Sequence, residues 1–208
     1  AGRNPRTTAL DLVGRIDPLN RQRTGGYIGM TSNQAQWVEN ARSELESLNP
    51  NYLTRQLRDK RFDSAVRKAI ESGEPLKADQ IDRAITQMQS RTLKYRGDVI
   101  ARTESINALR AGQHESFAQA INNGEVDVGD AKRTWDATGG PRTRDAHMAM
   151  EGQERDWGVP FDGPDGSQLL FPGDSSLGAP AAMTIQCRCR ERTEIDYAGK
   201  LKRLEGFA

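Results

Sequence analysis

Soft metal ligands are scarce in this chain of 208 residues, which holds two cysteines and two histidines. Aromatic residues are scarce as well, at 6%. Two cysteines cannot build a disulfide framework or a four-cysteine zinc site, and the expected setting is a reducing one. No run of 18 apolar residues occurs, so no segment is expected to span a membrane. No apolar stretch near residue 1 suggests a signal peptide. Charge of one sign is missing too. The formal net charge is +1, with a mildly basic first half and a mildly acidic second half, which is a weak argument for nucleic acid. The phosphate-binding G-x-x-x-x-G-K-[ST], the hydrolase elbow G-x-S-x-G and the zinc-protease H-E-x-x-H are all absent.

Polarity is what the chain has in quantity. Hydrophobic residues make up 35% and charged residues 28%. That balance suggests long helices, surface loops, or faces completed by partner chains in an oligomeric context. Residues 1–30 are rich in Arg, Gly and Pro and read as an arm, flexible or ordered by a partner, with a short helix possible at LDLVGRID. Residues 31–123 read as helical. Thr31-Ser-Asn-Gln34 has the form of a capping box, and Trp37, Ala41, Leu45 and Leu48 follow at helical spacing until Asn49-Pro50. Leu53, Leu57, Phe62, Val66 and Ile70 continue the pattern to Gly73.

Within that stretch RQLRDKRFDSAVRK is basic. Arg55, Arg58, Lys60 and Arg61 are its candidate contacts to nucleic acid or a protein partner, set against a plain solvated helix face. From Ala78 the steps Ile81, Ile85, Met88, Thr92, Tyr95 and Val99 run on through Ile106, Leu109, Phe117 and Ile121. This is one long helix, or two joined near Gly97 or Gly112. After Gly124 the texture changes to short apolar runs between Pro- and Gly-rich turns. Residues 124–197 therefore read as a loop-rich domain with short antiparallel strands, and 198–208 as a tail. The fold class expected is α+β.

Both cysteines lie in TIQCRCRER. Residues 184–195 alternate with period two, which predicts a strand with Ile185, Cys187 and Cys189 inward and Arg188, Arg190 and Arg192 outward. Residues i and i+2 of a strand sit about 6.6 Å apart with parallel side chains, which disfavours a disulfide. Two same-face thiols can instead grip zinc, with His147 and Asp145 of RTRDAHMAM as the nearest further donors. Buried free thiols are the alternative. A cysteine nucleophile with His147 as base fares worse, since the arginines point to the other face. Glu104, Asp145, Glu151 and His147 are the residues a metal-dependent nuclease or toxin-like hydrolase would use, although loop acids more often cap turns.

Several stretches, in order, resemble the phage Mu protein F-like minor head proteins, also called phage head morphogenesis proteins. They are YLTRQLRDKRFDSAVRKAI, RTLKYRGDVIARTESINALRAG, Trp135-Asp-Ala-Thr138, RTRDAH, Glu151-Gly152, Phe161 in VPFDGP, FPGD at 171–174, and QCRC. They extend from about residue 50 to 196. Gln186 departs from the family, which more often has Asn before CRC. The resemblance implies a non-enzymatic role inside the phage head near the portal, in head assembly or DNA delivery. The implied partners are portal protein, major capsid protein and packaged double-stranded DNA, with no membrane. It also implies a polar cluster of Arg102, Thr103, Glu104, Asn107 and Arg144, with Asp145, His147, Cys187 and Cys189, tying the long helix to the last strand. A catalytic role and a non-specific nucleic-acid-binding module remain the competing classes.

Overall fold

The computed structural model describes residues 4–19 and 23–197, so the expected tail at 198–208 lies outside the described residues. The chain divides into two compact units, Ala1–Ala101 and Arg102–Ala208. The division falls inside the long helix, whereas the change of sequence texture comes later, near Gly124.

The first unit opens with α1 (Pro5–Val13), where Asn4 accepts from the Arg6 N–H at 2.8 Å and Pro5 takes the first helical turn. A two-residue hairpin follows, β1 (Arg15–Ile16) against β2 (Arg23–Thr24). The expected arm is thus partly built into its own unit. Ala9 and Val13 are buried, and Arg23 donates to the carbonyls of Gly14 at 2.7 Å and Ser90 at 3.0 Å. The helix α2 (Ser32–Glu46) starts with the expected capping box, Thr31 and Gln34 each bonding the other's backbone N–H. Its buried face is Gln34, Val38, Ala41 and Leu45. Trp37, expected on that face, is 42% exposed. Two 3-10 turns, at Pro50–Thr54 and Lys60–Phe62, lead to α3 (Asp63–Ser72), which ends at the left-handed Gly73. The helix α4 (Ala78–Asn122) is continuous through both glycines. Val38, Ala41, Leu45, Tyr52, Val66, Ile81, Ile85 and Met88 form the core of this unit.

The two glycines of α4 have different reasons to be there. A Cβ on Gly97 would stand 2.8 Å from the Ala9 carbonyl oxygen and 2.9 Å from a Val13 methyl, so α1 lies directly on it. A Cβ on Gly112 would meet nothing within 4 Å. Gly112→Ala is expected to gain about 0.5–1 kcal/mol from helix propensity. Gly97→Ala is expected to lose stability despite the same gain, and to speed tryptic cleavage near Arg15. Thermal melts and limited proteolysis of the two variants check this.

The second unit surrounds the last part of α4 with short elements. They are β3 (Ala131–Asp136), α5 (Asp145–Met148), β4 (Glu154–Asp156), β5 (Phe161–Asp162), β6 (Gln168–Leu169), α6 (Ala181–Thr184) and β7 (Arg190–Ile195). The main sheet is antiparallel in the order β4-β3-β7, with Trp135 opposite Glu191 and Asp136 opposite Arg190. The strands β5 and β6 form a separate pair. This is an α+β architecture. Its core is Trp135, Ala137, Met150, Phe161, Leu169, Ala179, Met183 and the two cysteines.

The last strand is shorter than the alternation predicted. Residues 181–184 are helical, and Ile185-Gln186 turn with Gln186 at φ +54°. Pairing begins only at Arg190. The Gln186 N–H donates to the Thr103 hydroxyl at 3.1 Å instead of joining the sheet. Ile185, expected inward, is 41% exposed. Both cysteines are nevertheless buried, in the segment that leads directly into β7.

Candidate metal centre

His147, Cys187 and Cys189 come together although forty residues separate them in sequence. His147 Nδ1 lies 3.3 Å from Cys189 Sγ and 3.7 Å from Cys187 Sγ. All three ligand atoms lie within 4.8 Å of one another. Each side chain is 1–2% exposed. Helix α5 is a single turn that aims His147 inward, and the Arg144 guanidinium at its start donates to the Ile185 carbonyl. The loop holding the histidine and the turn before the cysteines are therefore joined directly. Trp135 stands edge-on to the His147 ring at 5.9 Å. Both cysteines are free thiols, not a disulfide.

The electrostatics favour negative charge on sulfur. A hydrogen bond from Cys189 holds the Cys187 thiol down at about 4, and His147 and Arg110 act in the same direction. Cys189 is pushed up, because its thiol donates to Cys187, burial adds to that, and negative charge on Cys187 adds further; Trp135 and Arg110 oppose the rise. Burial pulls the Arg110 guanidinium below its ordinary value, while the cysteine sulfurs partly restore it.

Arg110 is the residue sequence reasoning missed. It is 7% exposed and donates to the carbonyls of Pro172 at 3.0 Å and Cys187 at 3.1 Å. Thr103 supplies the second tie from α4, through Gln186. Arg102 and Glu104 are exposed, so the helix-to-strand connection runs through Thr103 and Arg110 rather than Glu104. Asn107 sits against Gly173. Asp145 is exposed at the start of α5 and is not part of the His147–cysteine group. The FPGD stretch also becomes intelligible. Its Pro172 carbonyl receives Arg110, its Gly173 has φ +90°, and its Asp174 accepts from Leu170 N–H and from the N–H and hydroxyl of Ser176, each at 2.9 Å.

The nuclease set does not assemble. Glu151 accepts from the Ala137 N–H, and Glu104 and Asp145 are exposed and apart from His147. Among the described residues, the only group of three or more His, Cys, Asp or Glu side chains with the reach to share an ion is His147, Cys187 and Cys189. His114 belongs to a different cluster, stacked on Trp157 at 4.6 Å and 3.5 Å from Glu191, beside a cavity of about 280 Å³. In the basic stretch, Arg55 forks onto Glu44, Arg58 onto Asp63, and Arg61 onto the buried Asp59. Those hydrogen-bonded pairs raise the Arg55 and Arg58 guanidinium groups above their ordinary value and lower Asp59 below its own. Lys60 is exposed. Three of the four candidate contacts therefore already have carboxylate partners.

Comparison with protein families identifies a match. Residues 60–192, more than half of the chain, match the family model described as phage Mu protein F like protein. The chain belongs to the phage Mu protein F-like family. No curated protein and no solved structure matches it significantly. Membership makes this Mu F-like protein a phage head morphogenesis protein, and its family is one of structural head proteins. The matched region contains every element of the cysteine–histidine centre, from Arg110 on α4 to Arg190 at the start of β7. No helix among the described residues is long and apolar enough to cross a membrane.

Proposed function

We propose that this Mu F-like protein is a minor component of the phage head, placed on its inner side at the portal, where it helps the head assemble and deliver DNA. The observation that supports this reading most is the family match over residues 60–192. The geometry agrees with it. The polar residues of the quoted motifs serve architecture: Arg110 and Thr103 tie a helix to a loop, Asp174 closes a turn, Glu151 caps a strand end, and Arg144 joins two loops. Little is left over for catalysis. The partner proposed is the portal protein, with the major capsid protein as the competing partner and packaged duplex DNA as a further contact. The proposed contact to DNA does not rest on Arg55, Arg58 and Arg61, whose charges face carboxylates.

Co-expression with tagged portal protein tests the partner. Retention of the Mu F-like chain on the portal, and not on tagged major capsid protein, is the expected result. Retention only on the capsid protein, or on neither, overturns the portal assignment.

A further inference from the structure

We propose that the Mu F-like protein binds one zinc ion through Cys187 Sγ, Cys189 Sγ and His147 Nδ1, as a structural cross-link between α5 and the segment entering β7. The inference concerns the purified chain and does not depend on where the protein sits in the head.

Distances carry the first part of the argument. Tetrahedral zinc with Zn–S near 2.3 Å and Zn–N near 2.05 Å sets sulfur and nitrogen about 3.6 Å apart. The two separations here are 3.3 and 3.7 Å, on either side of that value. Small rotations of the side chains suffice to admit the ion. A neutral S–H···N hydrogen bond explains one such contact, but it does not explain why a second sulfur is held against the same ring nitrogen.

Charge carries the second part. Two thiolates and a neutral imidazole around Zn²⁺ sum to zero, which a site this buried tolerates far better than two thiolates alone. The surroundings suit that state. Arg110 is buried and fixes the Cys187 carbonyl, and the buried Trp135, edge-on to the His147 ring, has an indole N–H without a hydrogen-bond partner. These groups orient and support the ligands from behind, as the outer contacts of metal sites generally do.

The backbone is built to the same end. Cys187 follows a turn in which Gln186 holds φ +54°, an uncommon conformation for a residue with a side chain. That turn is clamped at Gln186 N–H by Thr103 and at the Ile185 carbonyl by Arg144, whose own helix presents His147. Both cysteine positions are thereby set relative to the histidine before any ion arrives. Among the described residues no fourth protein ligand of these types is in reach, so the fourth position belongs to a solvent molecule. Among the described residues no carboxylate joins the three ligands, and the role proposed is structural.

The test is elemental analysis of the full chain, purified without chelator, followed by cobalt(II) replacement. The proposal expects about one zinc per chain. It also expects cobalt to give the thiolate charge-transfer band and the strong d–d bands of a tetrahedral site, and chelation to lower the melting temperature. Cys189→Ser and His147→Ala are expected to lose most of the zinc. If either variant fails to fold, the cobalt spectrum of the wild-type chain decides alone. A folded wild-type chain that contains no zinc and yields no thiolate–cobalt band overturns the proposal. So does undiminished zinc in a folded His147→Ala chain.

Discussion

Arg133→Met is expected to destabilise the second unit by about 3–5 kcal/mol. Arg133 is fully buried in the central strand β3. Its guanidinium donates to the carbonyls of Leu170, Val159 and Asp156. It stands 3.7 Å from Glu191 on β7 and lies over the rings of Trp157 at 5.3 Å and Phe161 at 5.0 Å. Methionine fills most of the volume and keeps some of the ring contact. It leaves the Leu170 and Val159 carbonyls without this donor, while the Asp156 carbonyl keeps the Val159 N–H. Glu191 keeps only His114 and the Thr193 hydroxyl beside it, and a carboxylate stripped of its guanidinium adds to the cost. Adding Glu191→Gln to Arg133→Met is therefore expected to recover a measurable share, which a double-mutant cycle would register. Urea unfolding followed by tryptophan emission reads the effect in a Trp37→Phe background, since the remaining two tryptophans, Trp135 and Trp157, both lie in the second unit. A loss below about 1 kcal/mol would mean that Arg133 is not the hub described here.

Gly173→Ala is expected to cost about 2–3 kcal/mol in the same unit. Gly173 has φ +90°, where an L side chain is strained. A Cβ there would collide with the Asn107 side-chain oxygen and stand 3.0 Å from Arg110 Nη1. The substitution strains the FPGD turn and displaces the two side chains that receive it. Asn107→Ala in the same chain should remove the collision with the Asn107 side chain and leave the backbone strain, so only part of the loss returns. Full recovery in the double variant would show that the turn itself is unstrained, contrary to this description.

The legible parts of the fold were those in which a local rule acts alone. The capping box at Thr31 and Gln34 needs only four residues. The helical character of α4 follows from its apolar steps, whereas its continuity through Gly97 and Gly112 was left open and is seen only in the fold. The shared inward placement of Cys187 and Cys189 was read from period-two alternation, although pairing begins only at Arg190. Two stripes competed in α2, one through Trp37 and one through Val38, and they share Ala41 and Leu45. Hydrophobicity favours the tryptophan, whereas the packing buries Val38 and leaves Trp37 half in solvent. The turn at Gln186 was hidden because its cause, a hydrogen bond to Thr103, lies 83 positions away.

The candidate centre was half legible for the same reason. Residue type and scarcity pointed to Cys187, Cys189 and His147, which the fold does bring together. Asp145 was drawn in by proximity in sequence, yet it lies two residues before His147 on a helical turn, and that spacing does not share a face. Arg110 and Arg133 gave no signal, because no hydrophobic pattern marks an arginine for burial. Both become explicable only once the carbonyls they satisfy are in place. Had buried arginines been sought, the polar neighbours of the quoted motifs would have been the place to look, since IARTESINALR ends in Arg110 and Arg133 stands two residues before Trp135.

The most direct test of the account as a whole is mass spectrometry of purified, DNA-filled heads, paired with electron microscopy of heads made without this chain. The account predicts peptides of the Mu F-like protein in the purified heads at a few copies, and misassembled or empty heads when it is missing. Its absence from purified heads, with normal heads formed in its absence, would contradict a structural role in the head.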